Sequence, residues 1–238
     1  MLWDNTEEIK MSLLWIIGIL LILGPQLWVR GVLSKYSKIK SSTNKSGASV
    51  AREILDKNGL SNVSVELTSQ GDHYDPAARS VRLSPEFYNG NSISAITVAA
   101  HECGHAIQHS ENYGFMKLRE ITVPMVQICQ FGPMLLFISL ILTGFLASPI
   151  WKLTALIGLL LYVGIFFFQV ITLPVELDAS FGRAVPILER GGYISPEEKI
   201  YSNSVLQACA FTYIAAALYS LIEIIRWAMI LFNNNDRR

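Results

Sequence analysis

Residues 151–171, WKLTALIGLLLYVGIFFFQVI, hold a single charge, Lys152, at one end. As a helix they are long enough to cross about 30 Å of hydrocarbon. Three further stretches match them. Residues 12–29 (SLLWIIGILLILGPQLWV) and 124–147 carry no charge, and the fourth covers 205–232. Gly24-Pro25 is tolerable in a membrane helix. Ahead of the first stretch stand Asp4, Glu7 and Glu8 before Lys10, and no small-residue cleavage site follows, so it reads as a retained anchor and not a signal peptide. The whole chain agrees: 51% of its 238 residues are hydrophobic and 16% charged, where soluble domains carry about 25% charged residues. Disordered chains, coiled coils and freely soluble enzymes are excluded. Lys+Arg and Asp+Glu both total 19, which gives no charge bias toward nucleic acid. The cysteines, Cys103, Cys129 and Cys209, are too scattered for a disulfide framework.

Basic residues near the spans set the orientation. Arg30, Lys35, Lys38, Lys40, Lys45, Lys117, Arg119, Arg183, Arg190 and Lys199 fall on one side; Lys10, Lys152, Arg237 and Arg238 fall on the other. Segments 30–123 and 172–204 are therefore expected to share the cytoplasmic face. The first of them reads as a small mixed domain. Val50, Ile54 and Leu55 give helical spacing over 47–58, with Gly59 where a C-terminal cap belongs. Residues 63–67 and 81–83 are β-like, and Gly71-Asp72-His73-Tyr74-Asp75-Pro76 between them is rich in turn formers. Ser92 or Ser94 caps a helix expected over 93–111. Ser195-Pro196 marks another helix start.

On the 93–111 helix stands His101-Glu102-Cys103-Gly104-His105. Spacing of i and i+4 puts both imidazoles on one face, where they can share a Zn²⁺ ion. Glu102 is then placed to deprotonate a water held at the metal and return the proton to a leaving amine. Catalytic zinc needs a third protein ligand. His109 lies about 6 Å further along the helix axis, and Glu111 has no turn to bring it back. Glu176, in Leu173-Pro174-Val175-Glu176-Leu177-Asp178-Ala179-Ser180, remains, and it lies on the same face of the membrane as the histidines. Ser180, four residues on, is placed to support the metal site. Asp178, two residues on, faces away on a continuous helix and helps only if that helix is irregular. Cys103 points away from the metal and packs in the core. Glu223 and Arg226 interrupt the fourth span at a spacing that suits an intrahelical ion pair.

Several blocks in order closely resemble the YugP-like family of membrane-bound neutral zinc metallopeptidases. They are Asp72-His73-Tyr74-Asp75-Pro76, Val81-Arg82-Leu83-Ser84-Pro85, Tyr88-Asn89-Gly90, the His-Glu motif, Pro174 to Ser180, and the tail from Leu206 to Leu218. The resemblance spans residues 47–225. More distantly the plan is similar to the HtpX-type membrane gluzincins, where a His-Glu helix and a later Glu build a cytosol-facing site. Those proteins carry a carboxylate where Ser180 stands. The resemblance implies His101, His105 and Glu176 as ligands of one zinc per chain, and Glu102 as general base. For the developing oxyanion His73, Tyr74, Tyr201 and Arg183 are candidates, with His73 and Tyr74 favoured because their turn can overhang the cleft. Val81–Ser84 is the expected edge strand for main-chain pairing with substrate.

The expected fold is an α-helical integral membrane protein with four transmembrane helices and a small α+β zincin-like metallopeptidase domain. Residues 1–30 form an N-terminal anchor and 31–123 the cytoplasmic zinc-peptidase part. Residues 124–171 form the second and third spans, 172–204 the segment supplying the third ligand, and 205–238 the fourth span and a polar tail. The expected activity is zinc-dependent endopeptidase action on membrane proteins or peptides near the cytoplasmic surface of a bacterial-type plasma membrane. The expected partners are a polypeptide substrate and the lipid bilayer, with no nucleic acid; the oligomeric state is open. The rival is a non-catalytic zinc-containing membrane scaffold or assembly factor.

Overall fold

The computed structural model describes residues 5–145 and 150–232. Asp4, the asparagines at 233–235, Arg237, Arg238 and the last two residues of the 124–147 stretch lie outside the described residues. Among the described residues, four helices are long and apolar enough to cross a membrane: Ile9–Tyr36, Gly114–Ile141, Ile150–Arg190 and Pro196–Phe232. The chain is mostly helical, with one small sheet, and forms two compact units. The first draws on Met1–Pro25, Leu118–Ile171 and Tyr213–Arg238, the second on Gln26–Lys117 and Thr172–Thr212.

In the first unit, helix α1 (Asn5–Tyr36) continues through Pro25. The second apolar stretch differs from a single helix over 124–147. Helix α5 (Gly114–Cys129) starts ten residues early, and α6 (Gly132–Phe145) begins after a turn at Gln130-Phe131. Pro133 explains the break: it lacks an N–H, and a first helical turn is where that loss is harmless. Helices α7 (Ile150–Leu177) and α9 (Pro196–Phe232) complete the unit, whose core holds Leu136, Leu159, Tyr162, Trp227 and Leu231. Glu223 and Arg226 form the intrahelical ion pair expected from their spacing, and the Arg226 guanidinium lies 3.5 Å over the Trp15 ring.

The second unit carries helix α2 (Gly47–Lys57), strands β1 (Ser64–Leu67), β2 (His73–Asp75) and β3 (Ser80–Leu83), and helices α3 (Pro85–Asn89) and α4 (Ile93–Ser110). The later chain adds a π-helical stretch, Asp178–Ala184, helix α8 (Val185–Arg190) and the start of α9. Helix α2 ends where Gly59 turns to φ +73°. There Leu60 N–H bonds back to Leu55 O at 2.8 Å and Gly59 N–H to Asp56 O at 3.1 Å, a paired closure that only a left-handed residue permits cheaply. Ser92 is the residue that caps α4, its hydroxyl accepting from Ala95 N–H at 3.2 Å. At α9, Ser195 accepts from Glu198 N–H while the Glu198 carboxylate accepts from Ser195 N–H, a reciprocal box.

The sheet order is β1-β3-β2, with β1 parallel and β2 antiparallel to β3. This corrects two expectations. The segment 71–76 contains a strand, hidden because it is three residues long and set among turn formers. Val81–Ser84 is no edge: β3 is paired on both sides, and β1 and β2 are the outer strands of the sheet. Against the sheet and α2 packs the buried face of α4, with Val50, Ile54, Leu55, Val81, Leu83, Ile96 and Ala99 in one cluster. Cys103 belongs to it as well: its thiol is fully buried with Sγ 3.6 Å from Ala51 O, and burial pushes its pKa well above the ordinary thiol range.

Candidate metal centre

Helix α4 presents His101 and His105 one turn apart, with their Nε2 atoms 3.2 Å from each other. Glu176, from the last turn of α7, brings its Oε2 to 3.3 Å from His101 Nε2 and 3.5 Å from His105 Nε2. A tetrahedral ion with bonds of 2.0–2.1 Å holds its ligand atoms about 3.3 Å apart. The two nitrogens and one carboxylate oxygen already have that spacing, and three donors leave a fourth position open. Among the described residues, these three side chains form the group of His, Cys, Asp and Glu able to hold a metal ion.

Small residues make the convergence possible. A Cβ on Gly104 would stand 2.9 Å from Ala179 O, so α4 and the π-helical stretch meet backbone to backbone. Gly104→Ala is expected to push them apart, lowering stability by about 1–3 kcal/mol. A reduced thermal midpoint in detergent, together with weaker zinc binding, checks this.

The outer atoms of both histidines are engaged. Ser180 Oγ lies 3.1 Å from His101 Nδ1, as the +4 spacing from Glu176 suggests. Gln108 Oε1 lies 2.9 Å from His105 Nδ1. Asp178 is not turned away: the chain leaves α geometry after Leu177, and the Asp178 carboxylate accepts from Gln108 Nε2 at 2.8 Å and from Arg183 Nε at 2.7 Å. The sequence reading assigned Gln108 no role. Its signal was an uncharged polar residue three positions after a candidate ligand, on a helix face otherwise filled with small and apolar side chains.

Glu102 sits beside the group, 7% exposed. Burial, the largest influence, pushes its pKa up to about 7, His101 opposes, Glu176 and Asp72 add to the rise, and a hydrogen bond from Tyr74 N–H opposes it again. A carboxyl poised there can both accept and return a proton at neutral pH.

The remaining candidates are placed as follows. Tyr74 meets Glu102 through its backbone, while its hydroxyl pairs with His109 Nδ1 at 2.8 Å. His73 Nδ1 donates to Gly71 O at 2.8 Å. Arg183 is engaged by Asp178 and by Glu111, 2.8 Å away. Tyr201 stacks on Tyr36 with ring centroids 5.1 Å apart. His109 and Glu111, set aside as ligands on helical geometry, thus both have partners away from the metal group.

Known proteins resemble this chain over most of its length. The family described as "Putative neutral zinc metallopeptidase" matches residues 11–232. "Putative membrane protease YugP" of Bacillus subtilis (strain 168) is 46% identical over 220 residues, 90% of this chain and 95% of that protein. No solved structure matches the chain. With the family match running through the histidine pair, Glu102 and Glu176, the chain belongs to the family "Putative neutral zinc metallopeptidase".

Proposed function

We propose that the protein is a membrane-bound zinc endopeptidase with a zincin-like catalytic part. The observation that carries this reading is the meeting of three metal-binding atoms at tetrahedral spacing with a buried carboxyl beside them. His101, His105 and Glu176 hold one Zn²⁺ per chain. The ion, when bound, supplies a Lewis acid that polarises the scissile carbonyl and acidifies a water. Glu102 takes the proton of the attacking water and returns it to the leaving amine. Ser180 and the Gln108–Asp178 pair steady the ligands from behind. Strand β2, an outer strand of the sheet whose Tyr74 N–H bonds Glu102, aligns an extended substrate beside that carboxyl. His73 stands on the same short strand and contacts that substrate.

Glu176 follows directly on an apolar span in the sequence, so substrates are membrane proteins or peptides near the bilayer. The excess of Lys and Arg in 30–123 and 172–204 sets the site on the cytoplasmic face of a multi-pass protein in a bacterial-type plasma membrane. In this organisation residues 1–30 anchor the chain, 31–123 and 172–204 build the peptidase, and 124–171 and 205–238 supply the other spans. The rival scaffold role suits a closed, four-ligand zinc site; three protein ligands with an adjacent carboxyl suit chemistry.

Elemental analysis of the detergent-purified protein is expected to give about one zinc per chain. A strong chelator is expected to abolish cleavage of a casein-type or membrane-protein substrate, and added Zn²⁺ to restore it. Bound zinc with no cleavage of either substrate favours the scaffold, and absence of zinc overturns the site.

A further inference from the structure

Gln108 is fully buried, and its hydrogen bonds fix which way its amide points. Two groups lie on one side of it, the Val175 carbonyl and the Asp178 carboxylate, each 2.8 Å from Nε2. A carbonyl oxygen accepts only, and so does a carboxylate whose oxygen already receives the Arg183 Nε–H. The NH₂ end of the amide must therefore face them, and Oε1 must face His105 Nδ1 at 2.9 Å. An amide oxygen has no proton to give, so His105 donates from Nδ1. That leaves Nε2, directed at His101 Nε2 and Glu176 Oε2, as the nitrogen on the side of the metal group. Arg183 in turn bonds Glu111 at 2.8 Å, so the chain His105–Gln108–Asp178–Arg183–Glu111 runs from the buried imidazole to an exposed ion pair.

From this we infer that Gln108 is a positioning residue: its Oε1 accepts the Nδ1–H of His105 and holds the ring so that Nε2 faces His101 and Glu176, with Asp178 and Arg183 keeping the amide from flipping. The inference rests on the zinc-peptidase reading of the site, but the Gln108–His105 hydrogen bond it assigns does not need the metal and can be measured without it. Outer contacts of this kind are worth about 10–100-fold in metal affinity or activity.

The test uses the full chain in detergent as wild type, Gln108→Met and Gln108→Glu. Methionine keeps the length and removes the amide. Glutamate keeps the length and an oxygen toward His105 and removes the NH₂ group. Zinc affinity by chelator competition is expected to fall about 10–100-fold in Gln108→Met and to stay within about tenfold of wild type in Gln108→Glu. In metal-free protein labelled with [¹⁵N]histidine, Nδ1 of His105 is expected to carry a proton in wild type and Gln108→Glu, and to lose that preference in Gln108→Met. Affinity of Gln108→Met within twofold of wild type, or an Nδ1 without a proton in metal-free wild type, overturns the inference. If Gln108→Met does not fold, the proton on wild-type His105 Nδ1 and the Gln108→Glu affinity still decide it. A wild type that binds no zinc yet carries the Nδ1 proton counts against the peptidase reading and leaves the Gln108–His105 contact standing.

Discussion

Glu102→Gln is expected to keep about one zinc per chain and to lose about 10²–10⁴-fold in kcat/KM for peptide hydrolysis. The substitution is nearly isosteric, and Glu102 is not one of the three converging ligands, so metal content isolates its role. A glutamine cannot accept the proton of the attacking water, nor deliver one to the amine. The 7% exposure of the side chain makes the loss hard for bulk solvent to repair. Because the variant places a neutral amide where burial already disfavours charge, its stability should equal or exceed that of the wild type. Zinc content by elemental analysis, cleavage rates and a thermal midpoint on one preparation check all three. Full cleavage by Glu102→Gln would remove Glu102 from the chemistry; loss of zinc as well would mean that it supports the metal site.

Much of this arrangement was legible in the sequence because it depends on local periodicity. Helical spacing alone puts His101 and His105 together and turns Cys103 away from them, into the core. Length and apolarity revealed the spans, although the Pro133 break divides the second of them into α5 and α6. What escaped were features set by distant partners or by departures from ideal elements. Strand β2 is too short to show alternation, and only its pairing to β3 makes it a strand. Asp178 faces Gln108 because the chain adopts a π-helical path after Leu177, which a 3.6-residue period cannot foretell. Gln108 takes its role from partners at Val175 and Asp178, 67 and 70 residues away. Ser180 was found because its +4 offset from Glu176 keeps it on the ligand side whichever helical form follows.

Glu176→Ala is expected to weaken zinc binding by more than the about 10–100-fold of an outer contact, because it removes a ligand and the one negative charge of the donor set. Two imidazoles remain, and the neighbouring carboxylates are engaged elsewhere: Asp178 is committed to Gln108 and Arg183, and Glu111 to Arg183. Glu102, on the neighbouring position of α4, lacks the i+4 relation that aligns the two histidines. The same substitution must uncouple metal from folding. Glu176 lies at the end of α7 whereas the histidines lie on α4, so an ion held by all three ties together segments about 70 residues apart in sequence and can bind tightly only when both are folded. At free zinc about 1,000 times Kd that linkage is worth about 4 kcal/mol. Wild type should therefore melt at a clearly higher temperature with zinc than after chelation, and Glu176→Ala should show almost no difference. A zinc-dependent rise in the variant as large as in wild type would place the third ligand elsewhere, and a wild type indifferent to zinc would mean that the ion does not bridge α4 and α7.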